Sequence, residues 1–119
     1  MDWLPEPKPG TPIALGFDGS DVGDWTAIRA ETIDGLSFTP RFAGEPTIWN
    51  PEAWPDHRIP RDVVSSAVDH LFDRFKVELM YCDPPGWQSE IEAWARLHGD
   101  SRVARWETYQ PKRMSDALE

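Results

Sequence analysis

The chain has 119 residues, enough for one domain with a single core and too few for two. Its 21 acids outnumber its 12 bases, for a net charge of −9, which argues against gripping nucleic acid by bulk charge, because such binding needs Lys and Arg to neutralise phosphates. No run of 18 apolar residues occurs, the first residues do not read as a secretory signal, and the one cysteine, Cys82, excludes an internal disulfide or a Cys-based zinc site. A cytosolic setting is expected, with no membrane partner.

In chain order, residues 1–12 are Pro-rich and read as a lead-in or linker, leaving 13–119 as the domain. Residues 13–18 predict a first strand and 25–33 a second, rich in β-branched and aromatic residues, with Arg29 and Glu31 pointing outward. Asp34-Gly35 is a hairpin signal, joining the second strand to a third over 36–42. The three make an antiparallel meander. A loop with several Pro and Trp residues spans 44–59. Pro60 then stands where a helix begins, and Val64, Ala67, Val68, Leu71, Phe72 and Phe75 mark one face of a helix over 61–75. Residues 77–82 predict the fourth strand. The second helix covers 88–98, with Ile91, Trp94, Ala95 and Leu97 inward and Gly99 as its stop. A fifth strand is expected over 101–109 and the start of a third helix at Met114.

This order predicts an α/β fold, a mixed sheet of about five strands with helices packed on its faces. It is the order of the ribonuclease H-like fold, whose acidic residues end the first and fourth strands. Asp18 and Asp83 stand in those two places. Each follows an apolar run, in Gly16-Phe17-Asp18-Gly19-Ser20 and in Tyr81-Cys82-Asp83-Pro84-Pro85. A carboxylate at the carboxyl end of a buried strand sits at the sheet rim, where open α/β sheets place ligands. Two of them converging would suit divalent ions, which take hard oxygen ligands and in pairs clamp both oxygens of a phosphoryl displacement. The bland alternative is that each Asp merely ends a strand in solvent.

These stretches resemble the nuclease domain of the large terminase subunit of tailed phages, in forms common in actinobacterial phages and prophages. The resemblance rests on Ala14-Leu15-Gly16-Phe17-Asp18-Gly19-Ser20, on Asp24 with Thr26-Ala27, on Tyr81-Cys82-Asp83-Pro84-Pro85 with Trp87-Gln88, and on Pro111-Lys112-Arg113-Met114. It runs from about Thr11 onward. It implies a metal-dependent endonuclease acting on double-stranded DNA in the bacterial host cytoplasm, with Mg²⁺ or Mn²⁺ as cofactor. Asp18 would bridge two metal ions and Asp83 would hold one. The packaging ATPase would lie on another segment or chain, since no phosphate-binding loop is present here. Small terminase subunit and portal are the further partners it implies. The family's third acid falls past the helix that opens at Met114, so a C-terminally truncated, weakly active domain is expected. Asp116 does not match that third position.

Other residues invite roles and bland readings alike. Asp24, and less so Asp21, could add an outer ligand, although turn chemistry explains both. Ser20 either bonds Asp18 or closes the turn. His57, His70 and His98 do not cluster. Trp49, Trp54 and Trp87 fall where aromatic faces could stack on bases, whereas Trp25, Trp94 and Trp106 are expected in the core. A sugar-binding module would need an all-β framework, which the helix over 61–75 contradicts. The remaining alternative is a catalytically inactive remnant that keeps the fold as a structural or interaction domain; it would have no need of both Asp18 and Asp83.

Overall fold

A computed structural model describes residues 6–19, 25–83 and 86–105. Expectations that rest on Ser20, Asp21, Asp24, Trp106, Pro111 or the helix from Met114 lie outside the described residues. Among the described residues, eight strands and two α-helices follow in chain order: β1 (Pro12–Asp18), β2 (Thr26–Thr32), β3 (Ser37–Phe38), β4 (Arg41–Phe42), β5 (Glu45–Pro46), β6 (Ile48–Trp49), α1 (Arg61–Arg74), β7 (Lys76–Asp83), α2 (Gln88–His98) and β8 (Val103–Arg105). The main sheet has six strands in the order β3-β2-β1-β7-β8, with β6 also paired to β2. It is mixed: β2 runs antiparallel to β1, and β7 and β8 run parallel to their neighbours. A parallel pair needs a crossover, and α2 supplies it between β7 and β8.

Period-2 alternation decides which residues meet the helices. Ile13, Leu15 and Phe17 of β1, Thr26, Ile28 and Ala30 of β2, and Met80 and Cys82 of β7 are buried on one face. Val77 joins them despite its odd spacing from Met80, because the β1–β7 register shifts between Ile13 and Ala14. That irregularity leaves Glu78 outside the pairing and resets the phase of the strand. From α1 come Val64, Ala67, Val68 and Leu71, and from α2 Ile91 and Trp94, completing the core. The helices are joined side by side: Trp94 Nε1 donates to Ser65 Oγ at 3.0 Å, the His98 ring stacks on Phe72 with centroids 4.0 Å apart, and His98 Nε2 lies 2.8 Å from Asp69 Oδ1.

Several expectations are corrected. The third strand does not run through 36–42. It breaks at Thr39-Pro40, since Pro40 has no N–H for a ladder and its carbonyl instead accepts from Thr47 N at 2.9 Å. Arg41–Phe42 turn back onto Glu45–Pro46 through Ala43 and Gly44, both at positive φ (56° and 82°), as a two-residue hairpin of matching twist requires. The region expected as loop, 44–59, therefore carries two short strands and two single 3₁₀ turns. One of them, β6, joins the main sheet on β2 and makes it six-stranded rather than about five among the described residues, while β5 pairs with β4 in a separate two-stranded sheet. Trp25 precedes β2 and is 55% exposed, not in the core; Leu97 is 66% exposed, not inward. Residues 6–11 pack on the domain: Glu6 accepts from Arg41 N at 2.5 Å and from Arg74 Nε at 3.1 Å, and Gly10 N donates to Arg74 O at 2.7 Å.

Candidate functional site

Asp18 and Asp83 are register partners at the last positions of β1 and β7. In-register residues of parallel strands share a face, and neighbouring strands lie about 4.8 Å apart. Both carboxylates therefore stand side by side at the carboxyl edge of the sheet. Their face is the one turned away from α1 and α2, since Phe17 and Cys82, each one residue earlier, are buried on the helix side. Asp18 is exposed and Asp83 half-buried. The chain thus brings together the two residues singled out from its sequence.

Behind them the open face has a regular make-up. Gly16 of β1 is flanked by Arg29 on β2 and Tyr81 on β7, and the next row sets Ala14 between Glu31 and Leu79. A central strand with small residues, walled by longer side chains on both neighbours, forms a trough. Nothing lies within 4 Å of where a Cβ on Gly16 would stand. A cavity of about 420 Å³ is lined by Gly16, Phe17, Asp18, Arg29, Tyr81 and Asp83. A second of about 370 Å³ shares Gly16, Arg29 and Tyr81 and extends toward Glu31 and Ser37. Arg29 and Tyr81 were not singled out as site residues from sequence. Period-2 counting back from Asp83 would have placed Tyr81 on the same face, and Arg29 had already been read as outward.

The edge itself is braced from beneath. Gly19, directly after Asp18, lies against Phe17 and Trp87: a Cβ there would come 2.5 Å from Phe17 Cζ and 2.7 Å from Trp87 Nε1. Trp87 is wholly buried and meets Phe17 edge to face, with centroids 5.0 Å apart. It is therefore a core residue, and stacking on bases is ruled out for it. Arg61, the first residue of α1, sits 3.9 Å over the Trp87 ring and donates through Nη1 to Gly86 O at 2.6 Å and Glu90 Oε1 at 2.9 Å. The start of α2, five residues past Asp83, is thereby tied to α1.

Carboxylate oxygens are the kind of donor that Mg²⁺ and Mn²⁺ take, and Asp18 and Asp83 are two such groups in register on this edge. Among the described residues no group of three or more His, Cys, Asp or Glu comes together to hold a metal. The histidines stand apart from this edge: His57 is exposed in the second 3₁₀ turn, His70 lies against Phe42, and His98 stacks on Phe72. Trp49 and Trp54 pack partly on the core. Burial pushes the Cys82 thiol up to about 12, so it is a poor nucleophile and metal ligand. Among the described residues no helix is long and apolar enough to cross a membrane.

The chain is similar to two phage proteins. It is 33% identical over 90 residues to the Gene 13 protein of Mycobacterium phage D29, and 31% identical over 90 residues to the Gene 13 protein of Mycobacterium phage L5. Each alignment takes in 75% of this chain, and the chain spans 14% of the length of either relative. No family model and no solved structure matches it.

Proposed function

We propose that the chain is a ribonuclease H-like, metal-dependent endonuclease domain, in whole or part, of the large terminase subunit of a phage or prophage. Its substrate is double-stranded DNA. The observation that carries this reading is the in-register pairing of Asp18 and Asp83 on one open sheet edge. Two carboxylates held about one strand spacing apart repel each other, and a divalent ion between them would turn that repulsion into a shared ligand pair. The order of elements and the two phage relatives support the same reading.

In this proposal Asp18 and Asp83 hold a Mg²⁺ or Mn²⁺ ion through carboxylate oxygens. The ion supplies positive charge for the phosphoryl transition state and makes a water molecule more acidic. The remaining work belongs to the chain. Strand alternation turns both carboxylates to the open face, opposite Phe17 and Cys82, and Phe17 and Trp87 fill the helix side beneath. The ATPase partner, the small subunit, the portal and the host cytoplasm follow from the terminase resemblance.

Nicking of supercoiled plasmid tests the proposal. With two acids at the edge, slow nicking is expected, faster in Mn²⁺ than in Mg²⁺, since Mg²⁺ demands nearly ideal octahedral geometry. It should disappear in Asp18→Asn and in Asp83→Asn. Cleavage that survives both substitutions would place the chemistry elsewhere. No cleavage under any metal, together with no metal binding, would favour the inactive interaction domain.

A further inference from the structure

We propose that Arg29 is the phosphate-binding residue of this site, and that one strand of duplex DNA lies in the trough over Gly16, between Arg29 and Tyr81, with its next phosphates at the Asp18–Asp83 edge. This deepens the nuclease reading and rests on it.

Four observations carry the inference. First, Arg29 is the register partner of Gly16, one row behind Asp18 on the same face. Two residues along a strand span about 6.6–6.8 Å, close to the through-space separation of neighbouring phosphates on one DNA strand. A backbone that follows β1 therefore brings one phosphate to Arg29 and the next to the carboxylates. Second, Arg29 is exposed and forms no hydrogen bond or ion pair with any described residue, although Glu31 stands on the same strand and face. Third, the floor of the trough is open: Gly16 has no side chain and nothing stands above it, so a phosphodiester backbone can approach the strand closely. Fourth, the charges alternate as a phosphate chain with its cations requires. Asp18 and Asp83 attract a metal at the rim, and a guanidinium, which presents a fork of N–H donors to phosphate oxygens, follows one row behind. With a net charge of −9 there is no diffuse positive field to do this instead.

The test measures binding rather than turnover. A fluorescein-labelled duplex is titrated with the full chain in Ca²⁺ at several salt concentrations, by fluorescence anisotropy. Arg29→Ala should bind about tenfold more weakly at low salt, with the slope of log K against log salt shallower by about 1, the signature of one lost phosphate contact. Arg29→Lys should keep the slope and fall between the two. Arg96→Ala, an exposed cation on α2 across the sheet, should match the native chain. The inference is overturned if Arg29→Ala binds within twofold of the native chain, if Arg29→Ala and Arg96→Ala weaken binding equally, or if the native chain does not bind the duplex. Mn²⁺-dependent melting of the same proteins separates the two levels. Loss of the Mn²⁺ effect in Asp18→Asn with unchanged duplex binding in Arg29→Ala sinks the Arg29 role alone. A Mn²⁺ effect that survives in Asp18→Asn sinks the metal site beneath it.

Discussion

Gly19 and Trp87 are packed so closely that the backbone after Asp18 has no room for a side chain: a methyl group on Gly19 would stand 2.7 Å from Trp87 Nε1. Phe17 and Trp87 are both buried and meet each other, so neither ring can swing away. Gly19→Ala should destabilise the domain by about 1–3 kcal/mol, the usual range for overpacking. Gly16→Ala provides the contrast, since a Cβ there meets nothing within 4 Å; it should be neutral or stabilising by up to about 1 kcal/mol. Urea denaturation of both variants checks the pair, and equal losses would mean the close contact is not what constrains Gly19.

Thr47 is a second point where one side chain holds distant segments. It is wholly buried, its N–H donates to Pro40 O, and its carbonyl accepts from Ile28 N at 2.9 Å. Its hydroxyl lies 2.8 Å from Pro40 O and 3.0 Å from Ile28 O. With one proton to give, the hydroxyl satisfies these two carbonyls in turn. Thr47→Val keeps the shape and removes the donor, which should cost about 1–3 kcal/mol, the range for a buried group left unsatisfied. Thr47→Ser should recover most of the loss, and a Val variant as stable as the native chain would contradict this account.

Cys82 gives a pH-dependent prediction. Burial raises its thiol from 9.0 to about 12. The unfolded chain therefore releases this proton at a lower pH than the folded one, and between those values the folded state holds more protons. Stability from this group is complete below pH 9 and falls as pH rises toward 12, by up to about 1.4 kcal/mol per unit. Cys82→Ala should flatten that part of the stability profile, whatever it costs in packing. In the folded chain at pH 8 the thiol should react with a disulfide reagent only at the rate of unfolding.

Local patterning was enough to read much of this fold. The bounds of α2 are those expected from its periodicity, and the inward face of α1 follows from a 3.6-residue repeat. The pairing of Asp18 with Asp83 was foreshadowed because both end apolar runs of the same kind. What was missed depends on contacts between distant segments. Trp87 opens a helix in sequence, yet is buried because Gly19 leaves space for it and Arg61 covers it. Thr47 makes a small strand region out of an expected loop by bonding to β2 and Pro40, which no local pattern records. Leu97 was a misreading of the period itself: six steps of about 100° put it roughly 120° from Ile91, and His98 occupies the inner stripe instead. Arg29 was read as outward, but its partnership with Gly16 and Tyr81 across two strands exists only in the folded sheet.

Thermal melting of the full chain during a Mn²⁺ titration, beside Asp18→Asn and Asp83→Asn, decides whether Asp18 and Asp83 form one cation site. An ion that binds only the folded state stabilises it by RT ln(1 + [L]/Kd), about 2.7 kcal/mol at one hundred times Kd. The midpoint should climb with Mn²⁺ in the native chain and stay flat in both variants. A midpoint that does not move in the native chain, or that moves equally in all three proteins, would contradict a shared site.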